Sequence, residues 1–336
     1  MNASISHRQL IEKCLAGESL PRTPIALWRH FPVDDQSADS LFAATLAFQK
    51  QYDFDLVKVS PSSSFCIKDW GVEDEWAGST EGTRRYTRFP VSSPDDWQKI
   101  TRLSPTSGQL GSQISCLGQL VKEFNHQTPV LQTIFSPLSQ AKNLIGKDNL
   151  SVHLRLYPEQ LHAALRAIAQ TTVDFLREAA KTGIDGVFYA VQHAQYGLLS
   201  VEEFETFGLA YDMQVLEAAQ DLWFNMAHIH GDHIMFDMLS SYPVQALNWH
   251  DRQAAPDLST ARINYKGILC GGLRQWETMA YAGAHQVTLE ARDAIQSTRG
   301  SHFILGTGCV MPIITPHGNI VAAINAARGN QANEAL

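Results

Sequence analysis

The stretch that decides the architecture is Trp223–His233, WFNMAHIHGDH. It reads as a short buried strand ending in His228 and His230, a turn at Gly231, and a helix starting near Asp232. Side chains alternate along a strand, so Met226, His228 and His230 share one face, and Asn225, Ala227 and Ile229 the other. Two imidazoles leaving one strand end together make half of a metal site or of a proton-transfer site.

Working outward, the same strand–turn–helix unit recurs in both directions. Apolar strand patterns occupy residues 23–30 (TPIALWRH), 54–60 (FDLVKVS), 129–135 (PVLQTIF), 185–192 (DGVFYAVQ), 223–230, 244–249, 266–273 (KGILCGGL) and 301–310 (SHFILGTGCV). Helical spacing of apolar residues covers 6–16, 39–52, 110–124 and 157–182. Ser200 with Glu203 makes a capping box for a long helix running towards Asp221. Shorter helices are expected at 234–240 and 258–264, helical segments through Ile295, and a closing helix at 318–328. Between the second and third strands lies an insertion with a hairpin around Gly82. Eight strands alternating with helices specify an α/β fold with a parallel sheet, closed as a (β/α)8 TIM-type barrel. An open doubly wound sheet is disfavoured because the first strand runs into WRHFPVDDQ, without a Gly-rich phosphate loop. One barrel domain, 1–336, with a short N-terminal helix is the expected organisation.

Bulk properties narrow the function. The formal charge is −8, from 26 Lys and Arg against 34 Asp and Glu, and no basic run stands out, which argues against nucleic-acid binding. No apolar stretch approaches the roughly 20 residues of a membrane helix. The start, MNASISHRQLIEKCLAGESLP, lacks the basic-then-apolar order of a signal peptide, and five scattered cysteines do not form a disulfide framework. A cytoplasmic enzyme acting on a small molecule is the expectation.

Chemistry in such a barrel collects at the C-terminal ends of the strands. There the chain presents Arg29, Lys58, Gln192, His193, Tyr196, His228, His230, Trp249, His250, Arg274 and Cys309. His228, His230 and Cys309 form the expected metal set, since zinc is commonly held by imidazole nitrogen and thiolate. The bland reading of Cys309 is a small buried hydrophobe, and that of a lone rim histidine is a hydrogen bond to backbone. Lys58, His193, Tyr196 and His250 are the expected catalytic groups. Arg29, Gln192, Trp249 and Arg274 are the expected substrate contacts, Arg29 by a bidentate grip on a carboxylate.

Three segments carry a family resemblance: residues 21–30 (PRTPIALWRH), 52–65 (YDFDLVKVSPSSSF) and 303–328 (FILGTGCVMPIITPHGNIVAAINAAR). They resemble the uroporphyrinogen decarboxylase superfamily, which includes zinc-dependent methylcobamide:thiol methyltransferases, and the likeness runs from about Pro21 to Arg328. The resemblance implies a (β/α)8 barrel. The decarboxylase branch has a pair of arginines after the first strand, an Asp ending the second and Gly-His-Gly ending the eighth. This chain keeps only Arg29, has Ser60-Pro61-Ser62 in place of the acid, and ends Gly306-Thr307-Gly308-Cys309. The methyltransferase branch binds zinc through a His-x-Cys on the fifth strand and a Cys on the eighth. His228-Ile229-His230 and Cys309 match, with His230 standing where a cysteine would be. The implied chemistry is zinc-assisted attack of a thiol on a methyl group carried by a corrinoid, which would arrive on a partner protein. Two alternatives stay open: a metal-free decarboxylase of uroporphyrinogen or another carboxylated small molecule, and a non-catalytic ligand-binding barrel. An apolar mouth would favour a homodimer.

Overall fold

Seven parallel strands form one curled sheet in a computed structural model that describes residues 5–329. They are β1 (Val57–Val59), β4 (Val130–Phe135), β5 (Gly186–Val191), β6 (Met226–Ile229), β7 (Ala246–Trp249), β8 (Ile268–Leu273) and β9 (Phe303–Thr307), hydrogen-bonded in that order. The eighth position is filled by residues 23–30. Ile25 O accepts from Asp55 N on one side (2.9 Å), and on the other Ala26 N donates to Leu305 O (2.9 Å) and Leu305 N to Pro24 O (2.8 Å). The barrel is therefore closed, but the expected first strand is an extended segment with isolated bridges at Ile25–Leu305 and Arg29–Met311. Pro24 has no N–H to give, which cuts the ladder short at this seam.

Strand alternation sorts the side chains cleanly. Trp28, Leu56, Leu131, Phe188, Met226, Ala246, Ile268 and Ile304 fill the interior, each 4% exposed or less. Removing side chains of this size from water contributes roughly 1.5–3 kcal/mol apiece for the larger ones. Helix α1 (His7–Leu15) seals the N-terminal end, placing Ile11 and Cys14 against that interior. Its His7 joins Arg22 and the backbone N–H of Ile25 on the buried Asp55 carboxylate, which those partners hold below the usual carboxylate range against the cost of burial. With the bottom plugged, ligands reach the interior from the C-terminal mouth.

The connecting helices follow the expected pattern with three differences. Helices α2 (Ala38–Tyr52), α3 (Gly108–Phe124), α6 (Pro158–Ala180), α10 (Leu258–Asn264) and α12 (His317–Arg328) lie where their apolar spacing predicts. The insertion carries an antiparallel pair, β2 (Glu73–Glu75) and β3 (Arg85–Arg88), on either side of Gly82. Two helices were not foreseen: α4 (Pro137–Ile145) and α5 (Lys147–Leu156), divided at Gly146, whose φ of +90° no ordinary helix position tolerates. The helix capped by Ser200 does not run unbroken: α7 (Val201–Phe204) passes through a π-turn at 205–209 into α8 (Ala210–Glu217). The helix after β6 is the single turn α9 (Phe236–Leu239), and α11 (Ala284–Ser297) precedes β9. Among the described residues, no helix is long and apolar enough to cross a membrane.

Candidate metal centre

Strand β6 delivers His228 to the interior, and His230 follows just beyond it, its N–H bonded to Val191 O (2.9 Å). The chain then turns at Gly231 with φ +104°, where a Cβ would fall 2.2 Å from the Gln195 amide. Gln195 fixes this turn by accepting from Asp232 N (3.1 Å). On the adjacent β7, Asn248 and then His250 face the same interior. Cys309 arrives from the loop after β9. Gly308 permits that approach, since a Cβ there would lie 2.8 Å from His250 Cα and 2.9 Å from Trp249 O.

The result is a cluster of three imidazoles and a thiol. Cys309 Sγ stands 3.7 Å from His228 Nε2 and 3.8 Å from His230 Nδ1, and His250 Nε2 lies 3.5 Å from His230 Nδ1. All four donor atoms fall within 4.8 Å of one another. Tetrahedral zinc, with its usual bond lengths, separates nitrogen from nitrogen by about 3.4 Å and nitrogen from sulfur by about 3.6 Å. The donor set therefore fits such an ion with small adjustments. The protonation states fit as well. Burial holds His228 well below the ordinary imidazole value, lowers His230 to about 4 and lowers His250, so all three offer lone pairs at neutral pH. Cys309 is pushed up to about 11 by burial, with the nearby Lys58 ammonium opposing the shift, so the thiol needs a cation to ionise. His228 Nδ1 donates to Asn248 Oδ1 (2.7 Å), which leaves Nε2 bare and aimed at Cys309. Asn248 is itself oriented by donating to Cys270 O (2.9 Å) and Thr307 O (3.0 Å).

Around the cluster, Lys58 stands 4.9 Å from the Phe188 ring centre and donates to Ser60 Oγ (3.1 Å). Burial lowers its ammonium to about 8. His193 is buried and lines the same cavity as His230, with Nδ1 unpartnered, and burial together with the Lys142 charge brings it down to about 3. Gln192 accepts from Lys142 Nζ (2.9 Å).

Four expected contacts fall outside this site. Trp249 points to the outer face of β7, fully buried against Phe236 (ring centres 4.9 Å apart), with its N–H given to Pro256 O. Its neighbours Asn248 and His250 point inward, as alternation requires. Arg29 likewise leaves the barrel outward, its guanidinium 5.3 and 5.1 Å from the Phe31 and Phe48 rings, while Trp28 and His30 take the inward positions. Arg274 is spent on Glu290 of α11, through both backbone N–H (2.8 Å) and guanidinium (3.4 Å). Tyr196 is 59% exposed in a separate groove beside Asp251 and Pro256. In exchange, sequence reasoning placed Asn248 at the end of the sixth strand without a role and passed over Lys142, and it gave His250 a catalytic place where the structure groups it with the donor atoms. The signal for His250 was present: it continues the inward parity of Asn248.

Residues 7–329 match the family model described as uroporphyrinogen decarboxylase (URO-D). The chain belongs to the uroporphyrinogen decarboxylase family. Among its relatives is the methylcobamide:CoM methyltransferase MtbA of Methanosarcina mazei, 22% identical over 255 residues, covering 75% of this chain and 73% of that protein. Another is the uroporphyrinogen decarboxylase of Christiangramia forsetii, 22% identical over 239 residues, covering 63% of this chain and 67% of that protein. A solved structure of a methyltransferase from Methanosarcina mazei superposes with a TM-score of 0.84 at 14% identity, over 97% of this chain and 99% of the other. The likeness bears out the family and the barrel. The family's relatives include both methyltransferases and decarboxylases, so the reaction has to be argued from the site.

Proposed function

We propose that this family member is a zinc-dependent methyltransferase that takes a methyl group from a corrinoid on a partner protein and passes it to a thiol or related acceptor. The observation that carries the reading is the convergence of His228, His230, His250 and Cys309 on one point. His228, His230 and Cys309 would hold the metal, with His250 either completing the set or yielding its place to the acceptor. When bound, zinc supplies a Lewis acid that makes a thiol acidic at neutral pH. The chain's own residues do the rest. Asn248 fixes the His228 tautomer. Lys58, beside Cys309 and His228, offers a positive charge to an anionic sulfur entering the mouth. The apolar interior beneath, with Phe188 stacked 5.4 Å from His228, keeps water from the lower face of the cluster.

The test begins with metal analysis of untagged protein by mass spectrometry. Stoichiometric zinc is expected in the wild type and should be lost in His228→Ala and Cys309→Ala; full metal content in both variants would overturn the assignment. Methyl transfer from methylcobalamin to a panel of thiols should then follow zinc content. Release of CO₂ from uroporphyrinogen by metal-free protein would decide for decarboxylation instead.

A further inference from the structure

Just past β8 the chain forms a π-turn over Gln275–Ala280, closed by Met279 N on Arg274 O and Tyr281 N on Trp276 O (both 3.0 Å). We propose that Gln275, at the head of this turn, is a positioning residue of the metal centre, its side-chain amide setting the tautomer of His250 and so deciding whether that ring joins the donor set. The inference deepens the zinc reading above and rests on it for the identity of the group held.

Gln275 is buried, and its amide lies 3.2 Å from His250 Nδ1. The other ring nitrogen, Nε2, faces the cluster, 3.5 Å from His230 Nδ1. A neutral imidazole carries one proton, so the partner of Nδ1 dictates what Nε2 offers. When the Gln275 oxygen accepts from Nδ1–H, Nε2 is bare and free to bind a cation. When the Gln275 NH₂ donates to Nδ1, the proton sits on Nε2 and His250 is closed as a ligand. An amide serves either tautomer by a half-turn of its end group, which a carboxylate in the same place cannot do. Asn248 lacks that freedom, because its two N–H bonds to Cys270 O and Thr307 O fix its oxygen on His228. Among the described residues, the Gln275 side chain has no such second tie. The backbone beneath it is nevertheless firmly held. The buried Glu290 of α11 accepts from Arg274 N (2.8 Å) and from the Thr278 hydroxyl, and Asn319 of α12 donates to Met279 O (2.9 Å) and Ala282 O (2.8 Å). Turns of this width are frequent at functional sites, and this one delivers a rotatable amide from a rigid base. Gln253, the other amide beside His250, gives its N–H to Glu277 (3.2 and 3.3 Å).

The experiment loads untagged, metal-stripped protein with cobalt(II) and reads its visible ligand-field bands, with chelator competition as a second measurement. His250→Ala supplies the reference for a centre without this ring, and its bands should differ from those of wild type. Gln275→Met, which fills the space without a hydrogen bond, should show the bands of His250→Ala and release cobalt at about 10–100-fold lower chelator concentration than wild type. Gln275→Glu, whose carboxylate only accepts, should keep the wild-type bands and release the metal no more readily. Gln253→Leu should match wild type in both measurements. Wild-type bands in Gln275→Met, or a shift in Gln253→Leu alone, would overturn the proposal. Gln275→Glu keeps the test open if the methionine variant does not fold, since bands like those of His250→Ala in it would also overturn the proposal. Bands unchanged in His250→Ala would take that ring out of the donor set and overturn the proposal, while leaving His228, His230 and Cys309 as the centre. Absence of cobalt binding by wild type would remove the metal reading itself, and the proposal with it.

Discussion

Asn248 spends its whole amide on the site: one oxygen holds His228 and two N–H bonds tie it to Cys270 and Thr307. A residue that orients a ligand without touching the metal typically sets affinity by a factor of about 10–100. Asn248→Ala is therefore expected to keep zinc at high concentration but to surrender it to a chelator at about 10–100-fold lower competitor concentration than wild type. Unchanged competition would remove Asn248 from the site. The residue scale also explains what the sequence concealed. His228 and His230 were legible because an i, i+2 pair shares a strand face wherever the strand lies, and Cys309 because it ends the eighth strand at the same mouth and carries the family resemblance. Arg29 and Arg274 were not, because a cation's partner is set by packing. Glu290 lies sixteen positions beyond Arg274 on a separate helix, and no local pattern announces the pair.

At the scale of elements, the joining of β7 to the loop after β9 is a close approach of backbone to backbone. A Cβ on Gly308 would meet backbone at 2.8 and 2.9 Å, which flexible side chains cannot relieve. Gly308→Ala should cost about 1–3 kcal/mol in urea unfolding and lower zinc content, because Cys309 must retreat with its loop. Wild-type stability with full zinc would contradict the close-approach argument. Alternation made most strands readable, and it failed where it was applied loosely. Trp249 and His250 are consecutive and cannot both face one ligand, so assigning both to the site ignored the period of two. Residues 23–30 look like a strand in composition, yet Pro24 withholds a donor and leaves isolated bridges. Helices α4 and α5 escaped because the break at Gly146 divides their apolar spacing into two short pieces. That omission hid the wall of the cavity containing Lys142.

Over the whole molecule, stability responds to groups buried far from the site. Asp212 of α8 accepts from both Tyr189 (2.6 Å) and Tyr242 (2.7 Å), and burial still raises its carboxyl to about 7. The folded form thus holds this proton more tightly than the unfolded chain, whose carboxyl titrates near the ordinary value. The stability it contributes is full at low pH and is lost as pH rises through about 7. Between about pH 5.5 and about pH 8 this one group should remove up to about 2 kcal/mol, a slope that Asp212→Asn should lack in urea unfolding. An identical pH slope in the variant would show that the carboxyl is already ionised in the fold.

The seam at residues 23–30 has a further bearing on the site. The loop that carries Cys309 is stitched to that seam through Met311 N and Trp28 O (2.9 Å), whereas the histidines ride on β6 and β7, joined to β9 through β8 on its other side. The sparsest ladder in the ring thus anchors the thiol and leaves the imidazoles on the well-paired side. In kinetic terms the seam is a latch, and escape of a bound ion would be timed by how often the latch lifts. Amide exchange at Ala26 and Leu305 and the rate of zinc transfer to excess chelator should then share one temperature dependence. Two unrelated dependences would place the exit elsewhere.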